Sequence, residues 1–286
     1  MLVSLMMVTV TFIMSGCGKD ASKELANGQS NTVLENSEAD VAFHVFSHRG
    51  ASGEEEESTI ASYDLAVMYG SRWIEMDLVT SADGTLWISH DDTAERMTGD
   101  ERKFADMTDD EIAGLRTSGG ASILTMREVL ERYYDNTDVG FNIAVRDTLW
   151  IDQWESLRSI FDEYLKKDEA FCSRLIIQAQ LAKTLQDVKE YNPDIMTLFL
   201  ATDIDIYNEI MQDDVGLNCI DIIAVNSWYM DKRNANMINE VHDRCKYYCV
   251  FTLRTTDDIK DAIDRGIDYY FTDFTAKALM LEERYR

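Results

Sequence analysis

The apolar residues of the chain follow a repeating rhythm from residue 41 onward. Short runs of β-branched, aromatic and aliphatic residues alternate with longer stretches in which apolar residues recur at helical spacing. The strand-like runs are AFHVFSH, RWIEMDL, TLWISH, VGFNIAV, RLIIQAQ, IMTLFLA, IDIIAVN, YYCVFTL and DYYFTD. Such alternation predicts a parallel sheet covered by helices. A (β/α)₈ barrel has eight strands, so we expect at least one of these nine runs to lie outside it.

Two further features favour the barrel. Residues 41–286 come close to the size typical of this fold, about 250 residues. The sequence has no glycine-rich phosphate loop that would support an open doubly wound sheet. Helix starts are marked by Thr108 with Glu111, Thr125 with Glu128, and Thr255 with Asp258.

The amino terminus has a different composition. Residues 1–14 are apolar but too short for a membrane span of about 20 residues, and they are followed by SGCGKD. This order is similar to a bacterial lipoprotein signal, which predicts a signal peptide over 1–16, lipidation of Cys17 and an extracytoplasmic, membrane-anchored protein. An ordinary cleaved signal and a buried strand are the alternatives. Residues 17–40 are polar and show no periodic spacing of apolar residues. We therefore expect them to form a tether between the lipidated cysteine and the barrel.

The net charge of the chain limits the classes of molecule that it is expected to bind. It contains 27 Lys and Arg against 53 Asp and Glu, for a formal net charge of −26. Such a surface repels nucleic acid and anionic lipid. We therefore expect no nucleic-acid partner and contact with a membrane only through the lipid anchor. An anionic substrate would need concentrated local positive charge.

Two acids share one face of the predicted strand RWIEMDL. Ile74, Met76 and Leu78 alternate with Trp73, Glu75 and Asp77. If the apolar set packs under helices, both acids point into the barrel, about 7 Å apart along the strand. Such a pair can share a hard divalent cation, although an edge strand with a wet polar face would show the same pattern.

Histidines end the strand runs before and after the one that carries this pair of acids. His48 ends the first strand run and His90 ends the third, and the chain has only four histidines in all. A histidine at a strand end is placed to act as a general acid or base. His44 and His242 have no such context and are interpreted as structural or surface residues.

Taken together, these motifs resemble the glycerophosphodiester phosphodiesterases, whose fold is a TIM barrel. The resemblance spans residues 44–274 and rests on the ordered segments HRGA, EEST, IEMD, ADGTLWISHDDTAERMTG, LTMREVL, NIAVR, VFTLRTTDD and GIDYYFTD. It implies that His48 and His90 form an acid/base pair and that Glu75 and Asp77 bind Ca²⁺ or Mg²⁺.

The resemblance also implies how substrate is held. Arg49 would grip the phosphodiester through its bidentate guanidinium, and Glu57 would line the site. The implied reaction is hydrolysis of a small glycerophosphodiester to an alcohol and glycerol phosphate.

The sequence departs from the family pattern at three places. Ser58 replaces an asparagine, and FTLR places Phe251 and Arg254 where the family has Trp-Thr-x-Asn. In NIAVR, Ala144 stands where the family supplies a third carboxylate to the metal, which predicts a weakly held cation. Arg146 stands in for a lysine, on the inner strand face and without an acid on that face, and is predicted to bind the phosphodiester. Gln178 and Gln180 could offer neutral oxygens to the metal.

Other functions remain open at this point. The barrel could bind phosphodiester ligands at the cell surface with weakened or no catalysis, or it could cleave lipids as the related sphingomyelinase D-like barrels do. A solute-binding lipoprotein would have two lobes, which this single βα rhythm fits poorly.

Overall fold

The computed structural model describes residues 45–147, 150–230 and 236–285. The strands are β1 Val45–Ser47, β2 Trp73–Thr80, β3 Leu86–Ile88, β4 Gly140–Ala144, β5 Leu175–Ala179, β6 Met196–Ala201, β7 Ile222–Asn226, β8 Tyr247–Leu253 and β9 Tyr269–Thr272. The predicted signal peptide, the lipidation at Cys17 and the tether over 17–40 lie outside the described residues.

Helices lie between the strands. They are α1 Ile60–Met68, α2 Glu95–Thr98, α3 Asp109–Gly114, α4 Met126–Tyr133, α5 Trp150–Lys167, α6 Ala182–Tyr191, α7 Ile204–Gln212, α8 Asp214–Leu217, α9 Met237–Asp243, α10 Thr256–Arg265 and α11 Thr275–Tyr285. The threonines at 108 and 125 cap α3 and α4 in reciprocal capping boxes, and Thr255 caps α10 by accepting from Asp258. Within these ranges, no helix combines the length and apolar character needed to span a membrane.

Eight of the strands close into a parallel barrel. Neighbouring strands pair in the order β1, β9, β8, β7, β6, β5, β4, β2, and β1 also pairs with β2, which completes the ring. The predicted (β/α)₈ barrel is confirmed.

The one strand outside the barrel among the described residues is β3, which pairs antiparallel with residues 78–80 of β2. His90 therefore follows a strand, as the sequence pattern predicted, but that strand lies outside the barrel. It follows a hairpin strand that returns to the rim, where the Ser89 amide donates to the Asp77 carbonyl at 3.0 Å.

The two faces of each barrel strand are sorted by polarity. In β2, Ile74, Met76 and Leu78 pack outward against the helices, and Trp73 packs inside the barrel. Since side chains alternate along a strand, Glu75 and Asp77 point inward, as the sequence predicted. The inside of the barrel is apolar at the amino-terminal end of the strands and polar at the other end, where the active sites of such barrels lie.

Candidate active site

A cavity of about 380 Å³ opens at the carboxyl-terminal end of the barrel. Five of the predicted site residues line it, namely His48, Arg49, Glu75, Asp77 and His90. Its remaining wall includes Gln178, Gln180, Asn226, Trp228, Phe251 and Arg254. The structure thus brings together side chains from β1, β2, β5, β7 and β8 and from the loop after β3.

The turn after β1 fixes Arg49. Arg49 has a φ of 56° and Gly50 a φ of 83°, and a Cβ at Gly50 would lie 2.5 Å from the Ser62 hydroxyl. Only glycine fits this close approach to α1. Ser62 in turn donates to the Arg49 carbonyl at 3.0 Å. The turn is therefore locked against α1, and the arginine leaves it in a fixed direction.

Three carboxylates surround Arg49. Its backbone amide donates to Glu75 at 2.8 Å, its Nε donates to Asp77 at 3.2 Å and its Nη1 donates to Glu57 at 3.1 Å. Although burial opposes the charged form, these acids raise the pKa of Arg49 above its usual value. The guanidinium is therefore charged and held in one plane at the cavity wall, as binding of an anion requires.

Glu75 is buried beside a second carboxylate, that of Asp77. Its side chain is buried, and burial together with the neighbouring Asp77 raises its pKa well above the usual value, against the opposing effect of Arg49. Two adjacent carboxylates in a low-dielectric site repel each other. A cation that binds both of them would relieve this repulsion.

His48 is held by an aspartate that the sequence analysis did not assign. The Asp273 carboxylate, directly after β9, lies 2.6 Å from His48 Nδ1 and 2.7 Å from Arg254 Nε. Burial would raise the pKa of Asp273, but His48 and Arg254 lower it to about 2. Because an ionised carboxylate only accepts, Nδ1 donates and Nε2 is the atom free to exchange a proton.

His90 has a matching arrangement. Its Nδ1 lies 2.7 Å from Asp91, and Asp91 accepts from Arg96 Nε at 2.5 Å. Burial would raise the pKa of Asp91, but the hydrogen bonds from His90 and Arg96 lower it. Arg96 also reaches Glu57 at 2.7 Å. A continuous series of hydrogen bonds through Asp91, Arg96 and Glu57 therefore joins His90 to Arg49.

Arg146 lies apart from this cavity. Among the described residues, its Nε and Nη2 have no hydrogen-bond partner, but Asp92, two residues after His90, brings a carboxylate oxygen to 3.5 Å from Nε. No acid shares the strand face of Arg146 in the sequence pattern, and the nearby acid comes instead from the loop after β3. Neither Arg146 nor Glu57 lines the cavity. Glu57 contacts Arg49 and Arg96 instead.

The donor set at β2 fits a hard divalent cation. In the described ranges, no three side chains of His, Cys, Asp or Glu cluster closely enough to hold a metal. Ala144, which pairs with Asp77, supplies no carboxylate. Glu75 and Asp77 nevertheless offer oxygen ligands of the type that Ca²⁺ and Mg²⁺ prefer. The amide oxygen of Gln178 is buried and without a partner among the described residues, and Gln178 lines the same cavity.

Asp273 and Arg96 are the functional residues that sequence reasoning missed. Both belong to segments that carried the resemblance, FTD and ERMTG, but no role was assigned to either. The signal that could have found Asp273 is its place directly after the last strand, because β9 neighbours β1 in a closed barrel.

For the hydrolysis that the resemblance implies, we expect Asp273→Asn to lower kcat by about 10²–10⁴-fold. The reason is that the asparagine amide can donate to Nδ1 and so favour the wrong tautomer of His48. The pH profile of kcat/KM should shift as well, which a merely structural residue would not cause. A kcat within threefold of wild type would show that Asp273 does not position His48.

Asp273 should also affect stability in acid. Its pKa lies below the usual value, so its stabilising effect is complete above about pH 4 and is lost as the pH falls toward its pKa of about 2. Urea unfolding between pH 4 and pH 2 should therefore show a steeper loss of stability in wild type than in Asp273→Asn. Parallel curves would contradict this.

Comparisons with known proteins place the chain. The model of the Glycerophosphoryl diester phosphodiesterase family matches residues 48–277. The glycerophosphodiester phosphodiesterase of Caldanaerobacter subterraneus subsp. tengcongensis is 29% identical over 251 residues, which cover 80% of this chain and 93% of the relative. That of Bacillus altitudinis is 23% identical over 250 residues, covering 84% and 98%.

Solved structures agree in fold. The glycerophosphodiester phosphodiesterase of Thermotoga maritima superposes with a TM-score of 0.69 at 23% identity, covering 83% of this chain and 97% of that one. A phosphodiesterase of Oleispira antarctica, solved with the product sn-glycerol-3-phosphate, gives a TM-score of 0.69 at 20% identity, covering 84% and 96%. With the match of the family model over most of the barrel, the chain belongs to the glycerophosphoryl diester phosphodiesterase family.

Proposed function

We propose that this protein hydrolyses glycerophosphodiesters to an alcohol and glycerol phosphate, using His48 and His90 as an acid/base pair. The observation that carries the proposal is the matched arrangement of the two histidines. Each lines the same cavity and lies within 2.7 Å of an aspartate through Nδ1, which leaves Nε2 for proton exchange. Arg49 lies in the same wall.

The reaction follows from this arrangement. Arg49 binds the anionic phosphodiester and orients it. One histidine takes a proton from the attacking hydroxyl, of water or of the substrate's own alcohol, as its oxygen bonds to phosphorus. The bond from phosphorus to the leaving oxygen then breaks, and the other histidine protonates that oxygen. Attack by water gives glycerol phosphate directly, whereas attack by the substrate's own hydroxyl gives a cyclic phosphodiester that water then opens to glycerol phosphate. A divalent cation at Glu75 and Asp77, when bound, offsets the negative charge that grows on the phosphoryl oxygens.

The cavity wall on β7 and β8 is where the alcohol would lie. Phe251 and Arg254 replace the Trp and Asn of the family pattern, and Trp228 stands at the rim with 86% of its surface exposed. Arg254 is held by Asp273 and is 61% exposed. These differences support an alcohol specificity that differs from that of relatives with the usual motif.

The alternatives are a barrel that binds phosphodiesters without cleaving them and a sphingomyelinase D-like lipid phosphodiesterase. A pure binding protein has no need of two histidines oriented for proton transfer, so their aspartate partners favour catalysis. The lipid alternative differs in substrate, and a direct comparison of substrates tests it.

A substrate panel tests the proposal. The full chain is incubated with glycerophosphocholine, glycerophosphoethanolamine, a lysophospholipid and sphingomyelin, each with Ca²⁺, Mg²⁺ or chelator. We expect glycerol phosphate from the first two and faster release with a cation. Cleavage of sphingomyelin or the lysophospholipid alone would favour the lipid alternative, and binding of glycerophosphocholine without turnover would favour the binding protein.

We also propose that Cys17 is lipidated and anchors the domain outside the cytoplasm. The support is the sequence pattern of residues 1–17. In a bacterial host that processes lipoproteins, wild type should label with a fatty-acid probe and sediment with membranes. Cys17→Ala should lose the label, whereas Cys172→Ala should keep it. Equal labelling of wild type and Cys17→Ala would refute the anchor.

A further inference from the structure

We infer that the side-chain amide oxygen of Gln178 is a third ligand of the divalent cation, beside Glu75 and Asp77, and substitutes for the carboxylate that is missing at Ala144. The inference rests on the proposed cation site. Its test measures ion binding rather than hydrolysis, so the two proposals can fail separately.

The first observation is an oxygen without a partner. The Gln178 side chain is 7% exposed, and its Oε1 accepts no hydrogen bond from any described residue. Leaving a buried acceptor unsatisfied destabilises the folded state. Such a group is retained where its partner arrives from outside, as a ligand, an ion or a water.

The second observation is the register of three neighbouring strands. Asp77 of β2 pairs with Ala144 of β4, and Ala144 pairs with Gln178 of β5. All three side chains point into the barrel at one level. Because Ala144 ends at its Cβ, nothing on β4 fills the space between the Asp77 carboxylate and the Gln178 amide, and the longer glutamine side chain can reach into that space.

Neighbouring carboxamides are less well placed. Asn142 pairs with Glu75 one level deeper, and both of its amide atoms lack described partners, but it does not line the cavity. Gln180 lines the cavity, but its side chain is exposed to solvent. Gln178 alone of the three combines burial, an unpartnered oxygen and a place in the cavity wall.

The ligand preferences of Ca²⁺ allow an amide oxygen to replace a carboxylate. Ca²⁺ accepts carbonyl oxygens of Asn and Gln as well as carboxylates, and its affinity depends on the number of charged ligands. A site with two carboxylates and one amide holds the ion with one negative charge fewer than a site with three carboxylates. The substitution therefore retains a three-oxygen site of lower affinity.

Calcium titration by calorimetry tests the inference on the full chain without substrate. We expect Gln178→Leu to raise the Kd for Ca²⁺ by about tenfold or more, and Gln178→Glu to lower it by about tenfold, because one ligand is lost or gains charge. Gln180→Leu is the matched control and should leave the Kd within twofold. Terbium luminescence lifetimes in H₂O and D₂O should reveal one additional bound water in Gln178→Leu.

Folding is monitored separately. Without Ca²⁺, Gln178→Leu should be at least as stable as wild type, because an unsatisfied oxygen has been removed. If Gln178→Leu does not fold, Gln178→Glu provides the test alone. An unchanged Kd in either variant would overturn the inference, as would equal weakening by Gln180→Leu.

The outcomes separate the two proposals. If wild type cleaves glycerophosphocholine and binds Ca²⁺ but Gln178→Leu has an unchanged Kd, the ligand assignment alone is wrong. If Gln178→Leu weakens Ca²⁺ binding but wild type cleaves no glycerophosphodiester, the proposed function alone is wrong. If wild type binds no Ca²⁺, the ligand assignment is overturned as well.

Discussion

Replacing His48 or His90 by alanine is expected to lower kcat for glycerophosphocholine by about 10²–10⁴-fold, since each would remove one proton-transfer group. The two losses should not add in the double variant, because residues that act in one step are coupled. KM should change little, because phosphate binding is assigned to Arg49. Steady-state kinetics with Ca²⁺ at saturation provides the measurement.

The chain offers a matched control. His242 also pairs with an aspartate, Asp268, at 2.6 Å, but it lies at the end of α9 on the surface and does not line the cavity. His242→Ala should retain kcat within twofold. A loss confined to KM in His48→Ala and His90→Ala, or an equal loss in His242→Ala, would contradict the assigned roles.

Replacing Arg49 by alanine is the second large effect. We expect kcat/KM to fall by about 10²–10³-fold, because the variant loses the fixed charge that faces the phosphoryl oxygens. The backbone amide of residue 49 still donates to Glu75, so the loss reports on the guanidinium. Arg49→Lys keeps the charge but cannot bond both Asp77 and Glu57 in the same planar geometry, and it should lose about 10-fold.

Stability must be separated from catalysis in this series. Removing the Arg49 guanidinium leaves Asp77 without its ion-pair partner, whereas Glu75 keeps the backbone amide and Glu57 keeps Arg96. Breaking a buried ion pair costs about 3–5 kcal/mol. Arg49→Lys is therefore the variant that keeps the fold, and circular dichroism checks both. Arg132→Lys alters an exposed pair with Asp64 and is the matched control. Arg49→Lys with the kinetics of Arg132→Lys would contradict the role of Arg49.

The hydrophobic pattern predicted much of the fold. Alternation in RWIEMDL was sufficient to turn Glu75 and Asp77 into the barrel, because a one-residue slip would have buried the wrong set. The pattern could not tell which run was the extra one. TLWISH is as apolar as a barrel strand, so its apolar pattern does not reveal its direction. In the structure it pairs antiparallel with β2, and its Trp87 packs in one cluster with Phe104.

Local periodicity did not assign the side chains that hold His48 and Glu57. His48 and Asp273 are 225 residues apart and meet only because the barrel closes between β1 and β9. Arg96 reaches Glu57 across 39 residues through the loop after β3. Side-chain pairing of this kind depends on closure and on loop paths, which local periodicity does not encode. For the same reason the acid near Arg146 was not foreseen.

Release of glycerol phosphate from glycerophosphocholine shows directly whether the two histidines catalyse hydrolysis. The comparison is between wild type and the His48→Ala/His90→Ala variant, each with Ca²⁺ and with chelator. We expect turnover by wild type with Ca²⁺, slower turnover with chelator, and a rate at least about 10²-fold lower in the double variant. Turnover that is independent of the cation and survives loss of both histidines would contradict it.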